Sequence, residues 1–132
     1  MNRNEARRII MIILYQAFMY DKNNISYDID ELIKDNLEID NDFVKDMVHG
    51  VIEKKKELEK KANDNLNDWK LSRLGFTDQA ILLLGLYELL YTDTPDVVAI
   101  NEAVELAKKY SDDKVKNMIN GVLDKVYHEK IA

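Results

Sequence analysis

Helical spacing runs almost unbroken through this chain. One proline, Pro95, and four glycines are all that punctuate 132 residues, so the tight turns that a β-sandwich or barrel requires are scarce. Elsewhere apolar residues recur at steps of three and four. In 113–130, Val115, Met118, Ile119, Val122, Leu123 and Val126 fall on one helical face. No segment reads as a strand and no internal repeat stands out. The reading is an all-α domain of about seven short, crossing helices.

Two of these helices are apolar nearly all round. Residues 4–20 carry Ile9, Ile10, Met11, Ile12, Ile13 and Leu14 in succession, and residues 78–91 carry a second run from Ala80 to Tyr87. Such helices are touched from several sides and belong at the centre of a domain. A polar loop at 21–27 leads to a short helix at about 28–36 through Ile29, Leu32 and Ile33. Asp40 is the expected cap of one long helix at about 41–63, with the stripe Phe43, Met47, Val48, Val51 and Leu58. The outer half of that helix alternates charges at pairing distance, for example Glu53 with Lys56 and Glu57 with Lys61. It reads as a solvated face, with an RNA-binding strip as the other reading. Asn63-Asp64-Asn65 breaks the pattern before a short helix through Leu66 and Trp69, and Thr77 is the expected cap of the helix at 78–91. Pro95 forces a turn, a helix follows at about 98–110, and Ser111-Asp112-Asp113 restart the last one. Gly50, Gly85 and Gly121 fall inside helical patterns, where each costs about 1 kcal/mol against alanine. Close approach of neighbouring helices is the expected reason for them.

Arg3, Arg7 and Arg8 ahead of the run Ile9–Tyr15 imitate a secretory leader. Glu5 interrupts the basic part, however, and no small-residue cleavage pattern follows Gln16. Neither apolar run reaches the ~18 residues of a membrane span. A buried helix with a basic first turn is the better reading, and no membrane contact is expected. With no cysteine in the chain, disulfides, thiolate metal sites and cysteine nucleophiles are excluded. The cytoplasm is the expected location.

The formal net charge of −6 disfavours a protein that coats nucleic acid without selectivity. The charge is unevenly placed. Residues 1–20 and 107–132 each sum to +2, whereas 21–48 and 62–106 each sum to −6. Chain ends often lie close together, and meeting basic ends make a small positive patch on an acidic protein. Tyr15 and Tyr110 lie near those two segments, and single-stranded RNA is held by aromatic faces beside Lys or Arg. A helical tyrosine also serves as core. Catalysis has little to build on. His49 and His128 are the only histidines, and no His-Glu-x-x-His, Walker loop or Gly-x-Gly-x-x-Gly occurs. No catalytic residue, metal or cofactor is expected.

Longer motifs then come into view. They are Trp69-Lys-Leu-Ser-Arg-Leu74, Asp78-Gln-Ala-Ile-Leu82, Leu86-Tyr-Glu-Leu-Leu90, Val98-Ala-Ile-Asn-Glu-Ala-Val-Glu-Leu-Ala-Lys108 and Asn120-Gly-Val-Leu-Asp-Lys125. With Ala6-Arg7 and Leu14-Tyr15-Gln16 near the start, the chain resembles the NusB family of bacterial transcription antitermination proteins over essentially its whole length. The resemblance implies one helical domain of two crossed subdomains, about 1–63 and 64–132. It implies a non-enzymatic protein that binds the boxA element of ribosomal-RNA transcripts together with NusE, which is also a small-subunit ribosomal protein. RNA polymerase and other Nus factors are the implied further partners, and prevention of premature termination the implied role. A related module is fused to RNA cytosine methyltransferases; no such domain is expected in this chain.

The resemblance carries roles to particular residues. Arg3, Arg7 and Arg8 match the family's RNA-contacting N-terminus, Tyr15 the aromatic of the first helix at the RNA face, and Tyr110 an aromatic at the end of the Ala-Ile-Asn-Glu-Ala helix. Lys114, Lys116, Asn117 and Asn120 fall in the segment implied to lie on the same side. Met118 stands where many members have phenylalanine, and Leu83 where arginine is usual, which removes a charge from the second subdomain. The NusE-facing surface is expected around Asp78. A different class of reading is a self-associating interaction module, its homodimer covering the RNA face and its role lying in ribosomal-RNA maturation.

Overall fold

The computed structural model describes residues 1–132 as seven α-helices and one 3-10 turn, without a strand. The helices are α1 (Arg3–Lys22), α2 (Ile29–Asp35), α3 (Asp42–Glu53), α4 (Lys55–Asn65), α5 (Phe76–Tyr91), α6 (Asp96–Tyr110) and α7 (Asp113–Ile131). The all-α class agrees with the sequence. Apolar on every side, α5 is the hub, packing against α1, α3, α4, α6 and α7. Every residue from Gln79 to Leu86 is buried, as are Glu88 and Leu89. α1 crosses α5 and α3, while α2 packs on α1 and α3. The buried apolar residues form one continuous cluster from Ala6 in α1 to Val126 in α7. Each fully buried Leu or Ile in it contributes about 1.5–3 kcal/mol.

Several helix ends differ from expectation, each for a local reason. Asn41, not Asp40, caps α3, its side chain accepting from Val44 N at 3.0 Å. Asp40 instead lies 3.4 Å from Lys45 Nζ. The single helix expected at 41–63 is two, interrupted at Lys54, whose N–H reaches both Gly50 O and Ile52 O. The interruption lets α3 pack on α1 while α4 turns its Leu58 and Ala62 into the core against α5 and α7. No helix forms through Leu66 and Trp69. Asp68 sits at φ 61, a left-handed conformation that ends helical continuation, and a short 3-10 turn follows at Leu71–Arg73. α5 starts at Phe76 behind Gly75, so Thr77 lies inside the first turn and caps nothing. α6 starts directly after Pro95, whose fixed φ suits a helix start. Asp112 caps α7 by accepting from Val115 N at 2.8 Å.

The charged half of α4 is a solvated, internally paired face. Lys54 pairs with Glu57, Lys55 with Asp21, Lys60 with Asp64 and Lys61 with Glu129. Lys61 thereby reaches α7 rather than the expected Glu57, whose carboxylate accepts from the Tyr91 hydroxyl at 2.8 Å.

Arg7 is the main correction to the sequence reading. It is 5% exposed and cannot serve as a free RNA contact. Its Nε and Nη2 donate to the two carboxylate oxygens of Glu88 at 2.9 and 2.6 Å. Glu88 is 1% exposed and also accepts from the Thr94 hydroxyl at 2.8 Å. The hydrogen bonds to Glu88 raise the Arg7 pKa further above its usual value, against the opposing effect of burial. α1 is thus pinned to α5 and to the turn before α6. Glu88→Gln or Arg7→Met leaves one buried charge unmatched, which costs about 3–5 kcal/mol. Urea unfolding of each variant is expected to show that loss, and the double variant Arg7→Met/Glu88→Leu is expected to recover most of it.

Two of the three helical glycines mark close approaches. A Cβ on Gly50 would lie 2.1 Å from the Tyr87 ring, and one on Gly85 would lie 2.9 Å from Ala103 Cβ. At Gly121 nothing comes within 4 Å, so close approach does not explain it. Gly121→Ala is therefore expected to stabilise by about 0.5–1 kcal/mol through helix propensity alone. Gly85→Ala is expected to destabilise, because overpacking of about 1–3 kcal/mol exceeds the same gain. Thermal melts of the two variants shifting in the same direction would contradict this packing.

Candidate nucleic-acid interface

The expected RNA residues separate into those that meet and those that do not. Arg8 and Tyr15 are seven residues apart on α1 and share a face, whereas Arg3 and Arg7 share another. Arg8 lines a cleft of about 250 Å³ between α1 and α6 with Lys109 and Tyr110. The first turn of α1 and the last turn of α6 thus come together, and the two basic segments do meet. Tyr110 is 43% exposed and Tyr15 38%, so both rings offer a face to solvent.

The surface continues from Tyr15 to the start of α5. Tyr15 stands edge-on to Phe76, with ring centroids 6.3 Å apart. Two residues on, the Asp78 carboxylate accepts from the Ser111 hydroxyl, which ties the first turn of α5 to the residue after Tyr110. Asp78 is therefore a partly buried tether, with the remainder of its carboxylate at the surface. Beyond Ser111, Lys114 Nζ lies 4.9 Å over the Trp69 ring. Lys116 lies 3.9 Å from Asp113, and Asn117 and Asn120 are exposed along α7. Met118 is half-buried and packs against the core. Leu83 is fully buried in α5, so the replacement of a charge there falls in the core.

Arg3 faces elsewhere. Its guanidinium carbon sits 3.8 Å from the Phe43 ring centroid, on the flank of α1 away from Arg8 and Tyr15. Its placement reflects helical geometry: five residues along a helix turn a side chain by about 140°.

The electrostatics of the cleft are balanced. Arg8 donates to Glu5 through Nη2 at 2.5 Å and Nε at 3.3 Å. That bond lowers the Glu5 pKa against the opposing effect of desolvation, with smaller contributions from the Arg8 and Lys109 charges. Glu102 and Glu105 also line the cleft. Exposed pairs of this kind contribute little, so Arg8 can exchange Glu5 for a phosphate at small cost. Lys109 holds no carboxylate within ion-pair distance and is the cation that motif reasoning missed. Its signal was available, since it directly precedes Tyr110 at the C-terminal end of a helix, where cations are favoured. No group of three or more His, Cys, Asp or Glu side chains is placed to hold a metal ion, and neither histidine lines the cleft. No helix is long and apolar enough to cross a membrane.

Comparison with known proteins places the fold. The NusB family matches residues 4–128. A transcription antitermination protein NusB of Campylobacter jejuni is 37% identical over 131 residues, covering 97% of both chains. Another, of Macrococcus caseolyticus, is 50% identical over 88 residues, covering 67% of this chain and 68% of its own. Among solved structures, T. maritima NusB superposes with a TM-score of 0.85 at 27% identity, covering 98% of this chain and 92% of that one. A crystal structure of the antitermination factors NusB and NusE in complex with double-stranded RNA superposes at 0.79 with 26% identity, covering 96% of each chain. With its helices, hub and motifs in agreement, the chain belongs to the NusB family of transcription antitermination proteins.

Proposed function

We propose that this protein binds boxA-type single-stranded RNA of ribosomal-RNA transcripts jointly with NusE, in a cytoplasmic antitermination assembly that includes RNA polymerase and other Nus factors. Its role is to bind, and it carries out no reaction. The observation that carries the reading is the meeting of Arg8, Lys109 and Tyr110 in one cleft, continuous with Tyr15 and Phe76. The solved NusB–NusE–RNA complex of a relative supports it. Exposed tyrosines beside cations suit unstacked bases. Lys114, Lys116, Asn117 and Asn120 extend this surface along α7, and Asp78 lies at its edge toward NusE. Arg3 lies on the other flank of α1, and Arg7, though it lines the cleft, has its guanidinium engaged by Glu88.

The cleft alone is a weak RNA site, because Glu5, Glu102 and Glu105 offset Arg8 and Lys109. A basic partner beside it supplies the missing positive field. Fluorescence anisotropy with a labelled boxA-type RNA is therefore expected to show weak binding by this chain and at least tenfold tighter binding once NusE is added. Equal affinity in the two conditions would remove the joint-surface reading. Within the complex, Tyr110→Ala is expected to weaken binding roughly tenfold, in line with the ~1–3 kcal/mol of one base–aromatic stack. Arg8→Ala and Lys109→Ala are each expected to lower the salt slope by about 0.7. All three variants are expected to keep full helicity, since none of these side chains is in the core. Unchanged affinity in all three would place the RNA elsewhere.

A further inference from the structure

On the other flank of α1 lies a second and larger cleft, of about 770 Å³, between α1, α3 and the end of α5. It has the opposite chemistry to the Arg8 cleft. Asp42, Asp46 and Asp93 line it with Phe43, Tyr87 and Tyr91, against one free cation, Arg3; the Arg7 in its wall is neutralised by Glu88. Most of the acids on α4 and α6 have a cation beside them, whereas none of these three carboxylates has a Lys or Arg within ion-pair distance or accepts a hydrogen bond. Phosphate is repelled here, and a cation is attracted.

The aromatic half is rigid. Tyr87 and Tyr91 stack with ring centroids 5.5 Å apart and planes at 27°. Tyr87 lies against Gly50, where the missing side chain makes room for the ring. Tyr91 is held from below by its hydroxyl bond to Glu57, yet remains 42% exposed. Behind the cleft stand Thr94 and the buried Arg7–Glu88 pair, so the wall does not give way. The chain itself shows which ligand suits these rings. Arg3 rests on Phe43 at 3.8 Å, and Lys54 Nζ lies 5.3 Å from the Tyr91 ring centroid.

We propose that this cleft is a docking site for an arginine-bearing basic segment of a partner protein, with a guanidinium received on Tyr91 and paired with Asp46 or Asp93. Arginine fits better than lysine because its planar group stacks on an aromatic face and also forks onto a carboxylate. The site is independent of the RNA reading. It opens on the other flank of α1 from the Arg8 cleft, with the buried Arg7 in the wall between the two, and at the opposite end of α5 from Asp78, roughly 20 Å away.

The test uses the full chain and a labelled Gly-Arg-Gly-Arg-Gly-Arg peptide, with a Gly-Lys repeat of equal charge as comparison. Saturable binding of the arginine peptide is expected, with amide NMR shifts at Asp46, Tyr91 and Thr94 and at least threefold weaker binding of the lysine peptide. Asp46→Asn/Asp93→Asn is expected to weaken binding at least fivefold, and Tyr91→Ala to do the same. Glu31→Gln/Asp35→Asn removes the same charge from exposed α2 positions and is expected to stay within twofold of the parent. Equal losses in the two charge-removal pairs would reduce the effect to general attraction by an acidic protein and overturn the proposal. So would the absence of saturation, or shifts confined to the Asp78 end of α5. RNA binding by Asp46→Asn/Asp93→Asn in the presence of NusE is expected to match the parent, which keeps the two surfaces experimentally separate.

Discussion

A carboxylate on the most buried helix of an all-helical protein demands a partner. α5 is surrounded by five other helices, and Glu88 in its last turns is inside with the leucines. An unpaired carboxylate there would be too costly to stay charged. Arg7 meets both of its oxygens, the Thr94 hydroxyl donates a third hydrogen bond, and the guanidinium lies 5.5 Å from the Phe43 ring centroid. α1, α3, α5 and the turn into α6 therefore have one relative arrangement in which these groups are all satisfied. Apolar packing alone tolerates sliding of one helix past another. A bidentate pair does not, and the positions of both surface clefts along α1 are set by it.

The fold was legible in the sequence because its signals are redundant. The two all-round apolar segments identified α1 and α5 as central, and the one-sided stripe of α7 matches its buried face. Boundaries were less legible where two polar residues stood side by side. Asp40 and Asn41 are both good caps, and the choice is made by which of them reaches Val44 N. The split of 41–63 has no local breaker such as proline. It coincides with a change of neighbours, α3 packing on α1 and α5 and α4 on α5 and α7. Gly50 signalled a close contact, but its neighbour Tyr87 is thirty-seven residues away and only the assembled structure reveals it.

The candidate site was legible in part, and the misses lie where equivalent letters take different places in the fold. Arg3, Arg7 and Arg8 are alike as letters in a basic N-terminus. Helical geometry turns Arg8 to the cleft beside Tyr110 and leaves Arg3 and Arg7 on another flank, where Arg3 rests on Phe43 and Glu88 draws Arg7 into the core. Motif matching cannot separate a buried structural arginine from a surface one when both follow the same alanine. Lys109 was passed over for the opposite reason, being one of several lysines near the chain's end until the structure placed it against Glu5 and Arg8. Asp78 was singled out as a contact and is also a tether, and the distinction rests on Ser111, which no spacing rule connects to it.

An acidic protein whose cations are mostly engaged has little free charge to give to nucleic acid. Ten of its nineteen Lys and Arg side chains lie within ion-pair distance of a carboxylate. The cleft at Tyr110 escapes this in one respect: Lys109 is unpaired, and Arg8 is held by an exposed carboxylate that exchanges readily. Weak intrinsic attraction is a source of selectivity here. Under the proposed function, affinity that depends on a second protein is withheld from RNA until that protein is present, and the acidic remainder repels unrelated strands at the same time. The same arithmetic leaves unpaired carboxylates on the opposite flank of α1. Because α5 is rigid from Phe76 to Tyr91, the two flanks act as separate faces of one solid body. Binding at one does not need to deform the other, and under the two proposals a polyanion and a polycation would sit on opposite flanks of α1 with the Arg7–Glu88 pair between them.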